Sequence, residues 1–115
     1  MIASVPPGMA VFGTVFAVSP KPWVRGSEGT ADRLQLQLDL LNRTHHPAPY
    51  RKPFIRIASD GTILLAIENV ERTQENADQN SLSWAWQIAR QAGLSEHDWE
   101  ISVFESGQVT PHRVD

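Results

Sequence analysis

The sequence predicts an α+β domain, a small and mainly antiparallel sheet with one principal helix packed on it. Three observations predict it. Two apolar runs flank Asp60-Gly61 as the arms of a hairpin. A helical apolar stripe runs from about residue 80 to 92 and meets a stop signal at Gly93. Strand-like runs lie before and after these two features, so strands and helix are mixed without the regular alternation of a parallel fold. The 115 residues fit a single domain, 1–115, and 41% hydrophobic with 20% charged residues argues against wholesale disorder.

Taken in order, Met9 to Val18 is rich in β-branched and aromatic residues and ends at Ser19-Pro20, which reads as a strand. Its ten or so apolar residues fall short of the roughly twenty that a membrane helix needs, and no basic leader precedes it, so no membrane association is expected. A loop from Ser19 to Ala31 follows, punctuated by Pro20, Pro22, Gly26 and Gly29. Arg33 to Leu41 alternates strictly, with Leu34, Leu36, Leu38 and Leu40 against Gln35, Gln37 and Asp39. Composition favours a helix there, but period two is the stronger signal and predicts a strand.

After a second loop, Thr44 to Pro53, come Phe54 to Ser59 and Thr62 to Ile67. A two-residue type I′ turn at Asp60-Gly61 sets Ile57 opposite Leu64 and Ile55 opposite Ala66. Both faces are then mainly apolar, which places the hairpin centrally in its sheet. Arg56 interrupts that pattern, as a rim residue or the partner of a carboxylate such as Glu68. Glu71 to Ser81 is polar; the helix then opens at an Asn80 or Ser81 cap and buries Leu82, Ala85, Trp86, Ile88, Ala89 and Ala92. Gly93 fits a left-handed cap closed by Leu94. Trp99 to Phe104 alternates as a last strand.

Ile88-Ala-Arg-Gln-Ala-Gly-Leu-Ser95, with Ile101, Glu105-Ser-Gly107 and Pro111, resembles the end of the helix-turn-helix unit of phage-repressor-like DNA-binding proteins. The resemblance implies a recognition helix after Ser95. The stretch from Ser95 to Ile101 is about two residues too long for that geometry. It also carries Glu96, Asp98 and Glu100 with no Arg or Lys, so it would repel phosphates. A capped helix followed by a strand accounts for the same residues.

Chemistry-bearing constellations are sparse. There is no cysteine, which removes disulfides and thiolate chemistry and suits a reducing, cytoplasmic setting. His45 and His46 are adjacent and would point to opposite sides of an extended chain, short of the three or four convergent ligands of a zinc site. His97-Asp98 with nearby serines has no triad arrangement, and no glycine-rich phosphate loop appears. Neither a catalytic group, a metal nor a cofactor is expected.

Charge is distributed unevenly. Net charge is −3, yet residues 1–56 carry seven basic and three acidic side chains, net +4, and residues 57–115 carry three and ten, net −7. Two loops combine cations with aromatic or imidazole rings: Lys21, Trp23 and Arg25 in one, His46, Tyr50, Arg51 and Lys52 in the other. An exposed Trp beside Arg is the composition of a protein-binding hot spot. Rings that stack on bases beside phosphate-holding cations describe a grip on single-stranded nucleic acid. Trp84, at the edge of the helix stripe, is a further contact residue and suggests a homodimer. The function expected is a small non-enzymatic interaction module, of the inhibitor, immunity-protein or adaptor kind, that binds a protein partner. The alternative is nucleic-acid binding through loops 19–31 and 44–53.

Overall fold

The computed structural model describes residues 5–26, 28–43 and 52–110. Strand β1 (Ala10–Pro20), helix α1 (Thr30–Asn42), strands β2 (Phe54–Ile57) and β3 (Ile63–Glu71), helix α2 (Gln74–Gln91) and strand β4 (Trp99–Val109) follow one another along the chain. The sheet order is β2-β3-β1-β4, and every neighbouring pair is antiparallel. The β-α-β-β-α-β succession is that of the split βαβ, ferredoxin-like arrangement. The domain is α+β, as the sequence predicts.

Both helices lie on one face of the sheet. Phe12, Thr14, Phe16 and Val18 alternate inward along β1, and across from them Leu65 and Ile67 of β3 and Ile101 of β4 point the same way. Leu34 and Leu38 of α1, Ala85, Ile88 and Ala89 of α2, and Trp99 close the core over them. The opposite face carries Gly13, Val15 and Ala17, and no described element covers it.

Residues 33–41 form a helix, not the strand their alternation suggests. Leu34 and Leu38, one helical turn apart, are 0% exposed, whereas Leu36 and Leu40 are 57% and 47% exposed. A helix with a narrow buried stripe and two leucines on its outer side mimics period two over nine residues. The helix-forming bias of Leu, Gln and Arg was the better guide.

α2 begins at Gln74, earlier than the sequence suggests, because its first turns are held by polar contacts in place of an apolar stripe. Thr73 caps it by accepting from the Asn76 N–H at 3.1 Å. The Thr14 hydroxyl donates to Asp78 at 2.6 Å, and Asn69 donates to the buried Ser81 hydroxyl at 2.7 Å. At the other end the predicted stop is present. Gly93 is left-handed at φ 86°, its N–H reaches the Arg90 carbonyl, and the Leu94 N–H reaches that of Ala89. These are the two bonds of a Schellman motif, and the buried Leu94 closes it.

The hairpin turn has three loop residues rather than two. The Ala58 N–H donates to Thr62, the Gly61 N–H donates to Ala58, and Gly61 alone has positive φ, at 89°. A type I turn followed by a left-handed glycine has this pattern. The extra residue shifts the register by one, so Ile57 faces Ile63, Ile55 faces Leu65 and Arg56 faces Leu64. β3 takes an interior place, and β2 forms the sheet edge, with only one face of the hairpin under helices. An edge strand with an open outer face lets the exposed Arg56 stay in water, which accounts for a cation in an otherwise apolar run. Residues 99–109 are a strand, so among the described residues none after Ser95 forms a recognition helix.

Candidate protein-interaction surface

β1 ends at Pro20 beside Trp99, the first residue of β4. This pairing brings the segment after β1 against the turn before β4. The Lys21 N–H donates to the Asp98 carbonyl at 2.8 Å, and the Val24 N–H folds back to the Lys21 carbonyl at 3.0 Å. Val24 packs on the core and anchors the loop. The turn opposite is equally fixed. Ser95 accepts from Asp98 and Trp99, and Glu96 pairs with Arg90 at the end of α2.

Trp23 sits on this frame, 57% exposed, and is therefore no lid over the core. Its indole N–H donates to the Asp98 carboxylate at 3.0 Å. The Lys21 ammonium lies 5.6 Å from its ring and donates to the Glu96 carbonyl at 3.0 Å. The His97 ring is tilted against the indole with centroids 5.7 Å apart. Contacts to the ring thus come from two segments about 75 residues apart, one basic and one acidic. Arg25 is exposed nearby along the chain.

The remaining expected contact residues are dispersed. Trp84 is half-buried and packs against the core from α2. Lys52 is exposed just before β2, while His46, Tyr50 and Arg51, and the neighbouring His45, lie outside the described residues. Because β1 and β2 both run antiparallel to β3, the chain leaves β1 at one end of the sheet and enters β2 from the other. Lys52 and the Trp23 loop therefore belong to opposite ends. Glu96, His97 and Asp98 were not expected at the Trp23 surface. Only the β1–β4 pairing brings them there, and no local pattern in the sequence signals it.

A second feature lies on the open face of the sheet. A groove of about 270 Å³ runs between Phe54 and Arg56 on one side and Glu105 on the other, with Val15, Leu64 and Ala66 as its floor. Among the described residues no three His, Asp or Glu side chains converge as a metal site requires, and no helix is long and apolar enough to cross a membrane. Comparison with protein-family models, curated proteins and solved structures finds no match to this chain.

Proposed function

We propose that the chain is a non-enzymatic interaction module that presents Trp23 to a protein partner. One observation carries the reading: the ring is more than half exposed and yet contacted by three groups, Asp98, Lys21 and His97. An aromatic side chain fixed before binding loses little conformational freedom when a partner covers it, so more of its buried area is retained as affinity. Lys21, Arg25, Glu96 and His97 supply the mixed polar rim that such an anchor needs. A protein partner with an apolar pocket for the indole fits this chemistry better than a phosphate backbone does. The carboxylates of Glu96 and Asp98 sit within the same surface, and the Lys21 ammonium is already engaged. A cysteine-free chain also suits a reducing compartment, and we assign it to the cytoplasm on that ground.

The test compares wild type with Trp23→Ala and Arg25→Ala. Proteins captured by the immobilised wild-type chain are identified, and each purified one is titrated against the variants by calorimetry. Trp23→Ala is expected to weaken the specific partner by at least tenfold with the circular-dichroism spectrum unchanged, the loss typical of an anchor residue. Equal affinity for both chains would remove the Trp23 reading. Salt-sensitive binding of single-stranded oligonucleotides, lost in the same variants, would replace it with the nucleic-acid one.

A further inference from the structure

We infer that the open face of the sheet is a self-complementary surface that takes a second copy of this chain. The inference is independent of Trp23, which lies at the end of the sheet.

The face is built in rows across the four strands. One row reads Phe54, Ala66, Val15, Glu105, and the next reads Arg56, Leu64, Ala17, Ser102. On the other side of the first row, Gly13 pairs with Gly107. The two central rows, Ala66 with Val15 and Leu64 with Ala17, are therefore low and apolar, and Glu68 of β3 stands beside them in the Gly13–Gly107 row. The two rims of the face differ in charge. The β2 rim carries exposed Arg56, preceded by exposed Lys52; the β4 rim carries exposed Glu105 and Glu100. β2 and β4 are the outer strands of the sheet, three strand spacings or roughly 14 Å apart, and Arg56 and Glu105 do not pair with each other within one chain. The Arg56 rim and the Glu105 rim thus carry opposite charges on the two edges of one face.

A surface of this kind matches itself. A two-fold axis lying in the interface and running along the strands sets β2 of each copy over β4 of the other. Arg56 then comes within a side chain's length of Glu105 in the second copy, twice by symmetry. Phe54, 43% exposed at the rim, meets the low floor beside Gly107. Phe54 and Gly107 both line the same hollow, about 250 Å³ in volume. Four strands at about 4.8 Å and some nine residues at about 3.3 Å give about 500 Å² per copy after allowance for the short β2, or about 1,000 Å² in all, near the lower bound of specific interfaces. The dimer is accordingly weak and depends on protein concentration.

The experiment is sedimentation velocity of the full chain from micromolar to millimolar concentration. Wild type is expected to shift from monomer to dimer across that range. Arg56→Glu and Glu105→Arg each set like charges face to face and are expected to weaken the dimer at least tenfold. Mixing the two variants restores opposite charges at every contact and is expected to restore dimer formation. Gly107→Leu is a second route, since a Cβ at Gly107 meets no atom within 4 Å in the single chain. It fills the hollow, and is expected to give a monomer whose thermal unfolding still shows one transition. Trp23→Ala leaves the dimer unchanged. A wild-type chain that stays monomeric throughout, a dimer that persists in Gly107→Leu, or variants that fail to rescue each other on mixing would each overturn the inference.

Discussion

A single acceptor, the Asp98 carboxylate, decides how Trp23 is presented, because it takes the indole N–H while the Asp98 carbonyl holds the Lys21 backbone. The same economy appears at Asp60. Its carboxylate accepts from the Thr62 N–H at 2.9 Å and closes the hairpin loop from inside. That backbone hydrogen bond favours the charged form and holds the Asp60 carboxyl below its ordinary value, although the group is fully exposed. A carboxyl lowered on folding stabilises the native state above its unfolded pKa, and the contribution disappears as pH falls through the lowered, folded value. The carboxyl resonance of Asp60 is therefore expected to titrate at lower pH than that of an unstructured Asp. Asp60→Asn is expected to remove this part of the acid dependence of unfolding. A midpoint at or above the ordinary Asp value would mean that the Thr62 contact does not persist in solution.

At the scale of elements, α1 shows how a helix can hide in an alternating sequence. Four leucines at every second position divide into two pairs. Leu34 and Leu38 are in the core, and Leu36 and Leu40 are in solvent. Replacing Leu34 or Leu38 by Ala is expected to cost about 2–5 kcal/mol, and replacing Leu36 or Leu40 by Gln to change stability by less than about 0.5 kcal/mol. Urea unfolding of the four variants measures this directly. Four equal losses would support the strand reading, in which all the leucines share one buried face. The elements legible in the sequence were those with their own local signals. The Gly93 stop, the Asp60-Gly61 turn and the Trp99 strand were read from propensity and punctuation alone. Those that escaped depend on distant partners. The first turns of α2 looked like loop because Asp78 and Ser81 are polar, and their polarity makes sense only opposite Thr14 and Asn69. The hairpin register slipped by one because Asp-Gly also suits a three-residue loop, and nothing local distinguishes the two. The composition of the Trp23 loop marks it as a candidate contact surface. That residues 96–98 meet Trp23 has no local signal, since they join it only through the sheet.

For the whole molecule, the first and last strands define the fold. β1 and β4 pair from Val11–Val109 to Pro20–Trp99, the longest separation along the chain of any pair in the sheet. A bulge at Phe104 of β4, between the pairs Val15–Glu105 and Phe16–Val103, lets the long ladder follow the twist. β4 also supplies Trp99 and Ile101 to the core under α2. A chain ending at Asp98 loses both side chains and leaves the β1 edge unpaired, which exposes backbone donors and acceptors next to Phe16 and Val18. The loss of two large core side chains alone exceeds about 5 kcal/mol, comparable to the entire stability of a domain this size. The full chain is therefore expected to unfold in one transition seen equally by circular dichroism and tryptophan fluorescence. The chain ending at Asp98 is expected to show no cooperative transition and to aggregate. If it kept a cooperative transition, the core under α2 would hold together from β1 and β3 without Trp99 and Ile101. In that case Trp23 would lose its frame while the domain stayed folded, because the 95–98 turn is held in place by the strand that follows it.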